Sequence, residues 1–249
     1  MIQISQLKLP ISHTEADLRQ KIKKTLRCGE TLFSYEIIRQ SLDARHKEDK
    51  KFVYTVHVKA ENEKKILKKV HSNNVMSTNE RHYSFPKPGD QPLETRPVIV
   101  GSGPAGLFCA WYLARAGYRP LVLERGEEAD KRMETVNRFW KTGVLDPESN
   151  VQFGEGGAGT FSDGKLNTLV KDSSGRNREV LKRFTEAGAD PEILYQQKPH
   201  LGTDVLVNIV QTMRRQIEEM GGTFRFRSKV TDLYTENGKL KLFEGGIDL

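Results

Sequence analysis

Three glycines carry the first suggestion of chemistry in this 249-residue chain. Gly101, Gly103 and Gly106 stand as G-x-G-x-x-G, with Ser102, Pro104 and Ala105 among them, and a carboxylate, Glu124, follows 18 positions after the last glycine. Gly101 permits a tight turn. Gly103 has no Cβ, so a pyrophosphate can come close to the backbone, and Gly106 lets a helix pack close to a strand. Pro104 falls in the first turn of that helix, where a missing N–H costs little. The exposed N–H groups and the positive end of the helix dipole then face the phosphates. Glu124 can accept hydrogen bonds from a ribose 2′-hydroxyl and would repel a 2′-phosphate, which suits FAD or NAD(H) better than NADP(H).

Those residues need a strand, a helix and a second strand to hold them, and the sequence supplies all three. Pro97 to Val100 is short, apolar and rich in β-branched residues. Leu107 to Ala116 is made of helix formers, Gly117 is placed to end the helix, and Tyr118 to Leu123 is a second apolar run that leads into Glu124. An ordinary glycine-rich turn would not need the acidic residue at that distance. The uncharged run from Pro97 to Ala114 has nearly the length of a membrane span, but glycines and prolines interrupt it. A second glycine-rich stretch, FGEGGAGTFSDGK from Phe153 to Lys165, places Gly154, Gly156, Gly157, Gly159 and Gly164 within eleven positions. Regular helix or strand would be costly there, whereas successive backbone N–H groups can form an anion-binding nest. Its closeness to the first motif predicts a second contact on the same ligand.

The composition fits a water-soluble chain with a core: 36% hydrophobic and 29% charged. No secretory leader is legible in MIQISQLKLP, and the expected location is the cytoplasm. Cys28 and Cys109 form no C-x-x-C or metal-ligand pattern, so they read as free buried thiols and no metal is expected. The charge of +7 is uneven. Residues 1–90 hold 18 Lys and Arg against 11 Asp and Glu, while the remainder is balanced at 22 of each.

The basic front segment reads as a small α+β unit. Strands are expected over Ile2 to Leu9, Ser34 to Ala44 and Lys51 to Ala60, with a further one near Asn74 to Tyr83. Helices are expected over Ser12 to Leu26, with Thr14 as N-cap, and over Glu61 to Val70. The order βαββαβ predicts a ferredoxin-like sandwich. Such a sheet invites an RNA-binding reading, with Phe52 and Tyr54 placed to stack bases. KKFVYTVHV, however, lacks the glycines of an RNA-recognition motif, and Lys64, Lys65, Lys68 and Lys69 most simply form a solvated helix face. FPKPGDQPLETR, Phe85 to Arg96, has the composition of a stiff linker. The expected organisation is therefore a basic domain over residues 1–88, a Pro-rich linker over 89–96 and an α/β, Rossmann-like domain over 97–249.

Beyond the dinucleotide unit, Glu127 to Thr142 reads as a helix that packs through Met133, Val136, Phe139 and Trp140. Helices are expected over Asn177 to Ala187 and Asp204 to Met220, the latter capped by Thr203 or Asp204. Strands are expected over Thr223 to Phe226, Lys229 to Tyr234 and Leu240 to Phe243, with a turn at Glu236 to Lys239. No Ser-His-Asp set and no carboxylate pair suggests hydrolysis, and no residue is singled out as a catalytic acid or base.

GSGPAG followed by LERG resembles the FAD fingerprint of glutathione-reductase-type flavoproteins. NVQFGEGGAGTFSDGKLNT, KPHLGTD, MIQISQLKLPISHTE and FSYEIIRQSLDARHK are similar to a bacterial family of uncharacterised FAD-dependent dehydrogenases, also labelled NAD(FAD)-utilizing dehydrogenases. The resemblance extends to about Lys241. It implies that FAD is the cofactor, with NAD(P)H as a candidate electron donor, and that the substrate is a small molecule. Gly101, Gly103 and Gly106 would cradle the pyrophosphate and Glu124 would face the adenosine ribose, with Ser102, Pro104, Ala105 and Arg125 also expected at the cofactor. Gly156, Gly157 and Gly159 would run past the pyrophosphate towards the flavin, and Val230 would lie near the adenine. His200, Thr203 and Asp204 sit where flavin-side residues are plausible. The family's members are about twice as long. The chain is accordingly expected to carry the first half of an FAD site and to lack the segment that holds the ribityl and flavin end.

Overall fold

Alternation of buried and exposed residues sets the first strand, β1 (Ile2–Pro10), in which Ile2, Ile4, Leu7 and Leu9 are buried. The spacing breaks between Ile4 and Leu7 because a bulge there shifts the register against β3 (Lys51–Ala60), with Gln6 at φ 57°. In the computed structural model, which describes residues 1–29, 31–79, 82–166, 172–236, 239–244 and 247–248, β1 is followed by α1 (Glu15–Leu26). Thr14 caps α1 in a capping box with Asp17, and Leu18, Ile22 and Leu26 form its buried stripe. Next come β2 (Phe33–Asp43), β3, α2 (Glu63–Lys69) and β4 (Val75–Ser77). The sheet order is β2-β3-β1-β4, and every pairing is antiparallel. That is the ferredoxin-like arrangement expected from the element order. Tyr54, Val56 and Val58 are buried in the core with the α1 stripe, so Tyr54 is not displayed on an open sheet face. The four lysines of α2 are all exposed.

The chain divides into two units. One joins Met1–Ser84 to residues 172–183 and 190–199; the other holds residues 85–166, 184–189 and 200 onwards. In the first, residues 195–197 pair with the outer edge of β2. The Gln40 N–H donates to the Tyr195 carbonyl at 2.8 Å, and the Gln197 N–H to the Gln40 carbonyl at 3.0 Å.

The second unit is built on a parallel sheet of order β5-β6-β7: β5 (Val98–Val100), β6 (Leu121–Leu123) and β7 (Thr223–Arg225). The helix α3 (Pro104–Arg115) joins β5 to β6, and Gly117 at φ 86° ends the turn behind it. The helix α4 (Ala129–Thr142) follows β6. The helix α5 (Arg176–Glu186) comes next in the chain, with residues 176–183 belonging to the first unit, and α6 (Thr203–Glu219) leads into β7. α6 packs Ile209, Val210, Met213 and Ile217 inward, and Trp111 Nε1 on α3 donates to Gln216 Oε1 on α6 at 2.9 Å. Strands β8 (Val230–Glu236), β9 (Lys239–Glu244) and β10 (Ile247–Asp248) form a separate antiparallel sheet. The centre of the expected turn, Asn237 and Gly238, lies outside the described residues.

Three expectations are corrected. α6 is capped by Gly202, with no side-chain bond, rather than by Thr203 or Asp204. Cys109 is exposed, and only Cys28 is buried. α4 packs through Val136 as expected, but Trp140 is 61% exposed and the largest fully buried side chain in the unit is the charged Arg132. No helix among the described residues is long and apolar enough to cross a membrane.

Candidate dinucleotide-binding site

The glycine turn joins β5 to α3. The Gly101 N–H donates to the Leu123 carbonyl at 2.7 Å, which continues the parallel ladder by one residue, and the chain then turns at φ 91°. Gly103 is the N-cap and Pro104 the first helical residue. Gly106 faces inward: a Cβ there would stand 1.9 Å from the Gly101 carbonyl oxygen. At Gly101 a Cβ would meet nothing within 4 Å, and at Gly103 only the Gly157 Cα at 4.0 Å. The turn therefore has a tight inner side and a clear outer one, and the first-turn N–H groups of α3 lack intrahelical partners.

Glu124 ends β6 and is 4% exposed. Its Oε2 accepts the Ser102 N–H at 2.7 Å and the Ser102 hydroxyl at 2.8 Å, and its Oε1 accepts the Gly126 N–H at 2.9 Å. The carboxylate expected at a ribose is thus engaged within the protein, where it ties the glycine turn to the strand beside it. Glu124→Ala removes three acceptor contacts and leaves two buried N–H groups unpaired. It is expected to lower unfolding stability by roughly 2–4 kcal/mol, read from denaturant midpoints, as well as to weaken nucleotide binding. An unchanged midpoint would remove the tie.

The second glycine stretch docks on the first. The Gly156 N–H donates to the Ser102 carbonyl at 2.9 Å, and a Cβ at Gly157 would lie 3.3 Å from the Gly103 Cα. Gly156 and Gly157 have φ of 84° and 67°, and Gly159 sits in a short 3-10 turn, Ala158–Phe161. The stretch is held from beneath by Arg132. That side chain donates to the carbonyls of Asn150 at 2.9 Å, Val151 at 3.0 Å, Glu155 at 2.7 Å and Gly157 at 2.9 Å, and its guanidinium lies over the Phe161 ring. Burial pulls the Arg132 pKa down to about 10. Glu155 is also fully buried. Its Oε2 accepts the Ala129 N–H at 2.7 Å and its Oε1 the Arg214 Nε at 2.8 Å, and desolvation raises its pKa. Arg132 and Glu155 were missed in the sequence. Their only signal is a charge at a helix position between apolar ones and a lone acid inside a glycine run.

Arg125 lies over the Phe153 ring at 3.7 Å and donates from Nε and Nη2 to Glu148 at 2.9 and 2.8 Å. Val230 opens β8, two residues after Ser228, whose N–H donates to the Glu124 carbonyl at 2.8 Å. Arg227 donates to Asp146 at 2.8 Å and to Glu127 at 2.6 Å. His200 forms an isolated bridge with Lys165, and the Thr203 hydroxyl donates to the Ser162 carbonyl at 3.4 Å. Among the described residues no group of three His, Cys, Asp or Glu could hold a metal ion.

The ion pairs give the unit a pH dependence. The Arg227 guanidinium draws Asp146 down to about 2, and Lys229 and Arg125 lower Glu148. A carboxylate lowered in the folded state contributes stability above its ordinary pKa of about 4, and that contribution is lost as pH falls through the folded value. Buried Glu155 has the opposite sign, because protonation relieves its desolvation. Stability is expected to fall as pH drops from about 4 towards 2, and Arg227→Ala should flatten that slope. A variant slope equal to the parent's would assign acid sensitivity to other groups.

Residues 99–151 match a family described as an NAD(P)-binding Rossmann-like domain, and residues 1–59 match a domain of unknown function, DUF8436. An uncharacterized protein of Clostridium beijerinckii is 44% identical over 96% of this chain and 45% of its own length. Shorter stretches resemble an L-glutamate oxidase precursor of Streptomyces viridosporus, 41% identical over 26% of this chain and 10% of that protein. A thiamine thiazole synthase of Saccharolobus solfataricus is 40% identical over 28% of this chain and 22% of that one. Among solved structures, Thermovibrio ammonificans THI4 aligns at TM-score 0.35 and 20% identity, covering 59% of this chain and 45% of that one. Lactococcus lactis thioredoxin reductase aligns at 0.32 and 16%, covering 62% and 32%. The chain spans about half the length of the Clostridium relative. The parallel βαβ unit, its glycine turn and the family match over residues 99–151 define a Rossmann-like nucleotide-binding domain.

Proposed function

We propose that the chain contains the FAD-binding N-terminal portion of a flavin-dependent oxidoreductase acting on a small-molecule substrate. The observation that carries this reading is the docking of the second glycine stretch on the first, through the Gly156 N–H and the Ser102 carbonyl. The second loop extends the contact surface past the expected pyrophosphate, and the resemblance of FGEGGAGTFSDGK to FAD-dependent dehydrogenases favours a ligand that continues to a flavin. The clear outer side of Gly101 and Gly103 fits a pyrophosphate, since a side chain at either would fill it. In this reading Gly101 to Gly106 bind the phosphates, Glu124 faces the adenosine ribose, Arg125 contributes to the cofactor site, Gly156, Gly157 and Gly159 follow the pyrophosphate, and Val230 lies by the adenine. When bound, FAD would supply hydride or electron transfer, with NAD(P)H as a candidate donor.

The test is a visible absorption spectrum of the purified full chain before and after FAD is added and the excess removed. Flavin bands that stay with the protein are expected. Gly103→Val should abolish them while circular dichroism shows the fold retained, because its methyl groups enter the space between the turn and Gly157. Retained flavin in the Val variant would overturn the assignment. The second reading is an NAD(H) site, favoured by the description of the family matched over residues 99–151. It predicts a colourless protein that binds NADH and ignores FAD.

A further inference from the structure

The first unit contains a cavity of about 690 Å³ that the dinucleotide reading leaves unused. It opens between β2, β3, the loop before α1 and residues 192–198. A volume of this size matches small-molecule sites. One wall is aromatic: His13, Phe52 and Tyr54 lie within 5.4–6.2 Å of one another, centroid to centroid, and are steeply inclined. Ile11 and Leu42, two of the chain's exposed large apolar side chains, line it as well.

Its polar groups are wired in one direction. The Pro10 carbonyl can only accept, so the His13 bond to it at 2.7 Å places a proton on Nδ1. In the neutral ring Nε2 is then the acceptor for the Tyr54 hydroxyl at 3.0 Å, and the Tyr54 oxygen accepts from Gln40 Nε2 at 2.7 Å. Three side chains from three elements are thus fixed at the cavity wall, and their free capacity is mostly acceptor: the Gln40 carbonyl oxygen and a lone pair of Tyr54. Glu192 adds a carboxylate bonded by the neutral Gln196 amide. Lys198 adds an ammonium. Among the described residues neither charge has an ion-pair partner, and the two do not pair with each other.

We infer that this cavity binds a small zwitterion with an apolar body, of the α-amino acid class. Glu192 and the Tyr54–Gln40 acceptors hold the ammonium, Lys198 holds the carboxylate, and Phe52, Ile11 and Leu42 take the apolar body. The inference rests on no property of the glycine turn, so each can fail alone.

The experiment is calorimetric titration of the full chain with L-phenylalanine, phenethylamine and 3-phenylpropionate as probes. L-Phenylalanine is expected to bind saturably and at least about tenfold tighter than either single-charge analogue, one charge-assisted contact being lost in each. Glu192→Gln should erase its advantage over 3-phenylpropionate, and Lys198→Gln its advantage over phenethylamine. Both residues are exposed, so folding should be retained, as circular dichroism would confirm. Absence of saturable binding by folded protein, equal affinity for the three probes, or indifference to both substitutions would overturn the inference.

Discussion

Gly106→Ala is expected to destabilise the nucleotide-binding unit by about 3 kcal/mol or more, although the substitution is made inside a helix. Helix propensity alone predicts the opposite, a gain of about 1 kcal/mol for Ala over Gly. Geometry decides the sign: the new Cβ would stand 1.9 Å from the Gly101 carbonyl oxygen and 3.0 Å from its carbon. Neither atom belongs to a flexible side chain, so α3 must move off β5 or the turn must open. The control is Gly117→Ala, where φ is 86° but nothing lies within 4 Å. It carries only the left-handed conformational cost of about 1–2 kcal/mol. Paired thermal unfolding of the two variants checks the prediction. Equal losses would mean that the close approach at Gly106 is not what binds α3 to the strand.

Arg132→Met should cost about 3–5 kcal/mol, because it strips four carbonyl oxygens of a buried cationic donor. The apolar chain of Met fills much of the same space, so the loss reports the bonds and not a cavity. Arg132→Lys is the sharper test. Lysine keeps the charge, but a single ammonium cannot reach the carbonyls of Asn150 and Val151 on one side and those of Glu155 and Gly157 on the other. Lysine should therefore recover less than half of the loss. Full recovery would show that charge in the interior, rather than the planar fork, holds the loop. Denaturant midpoints give the energies, and FAD affinity shows whether the glycine loop has moved.

The local rules were legible where one periodicity governed. Thr14 announces the start of α1, Ile2, Ile4, Leu7 and Leu9 mark one face of β1 together with its irregularity, and Val98 to Glu124 contain a complete strand–helix–strand unit. The reading weakened where the decisive partner was distant. Arg132 sits among residues at helical spacing, and nothing nearby in sequence says that its partners are carbonyls 18 to 25 positions ahead. Glu124 was legible as an acid at the right distance, but not its grip on Ser102, since a carboxylate that receives backbone N–H groups has the same sequence signature as one that awaits a ribose. The edge partner of β2, at residues 195–197, was beyond any local pattern.

That last pairing has a consequence for synthesis. At about 5–20 residues per second, a ribosome needs roughly 8–30 s to advance from Asp43, the end of β2, to Tyr195. Throughout that interval the nascent sheet presents an open edge while the whole nucleotide-binding βαβ unit emerges behind it. An unpaired edge strand recruits other strands. The stretch of β2 around Gln40 therefore stays uncovered through that part of translation and gains its partner only when Tyr195 to Gln197 have emerged.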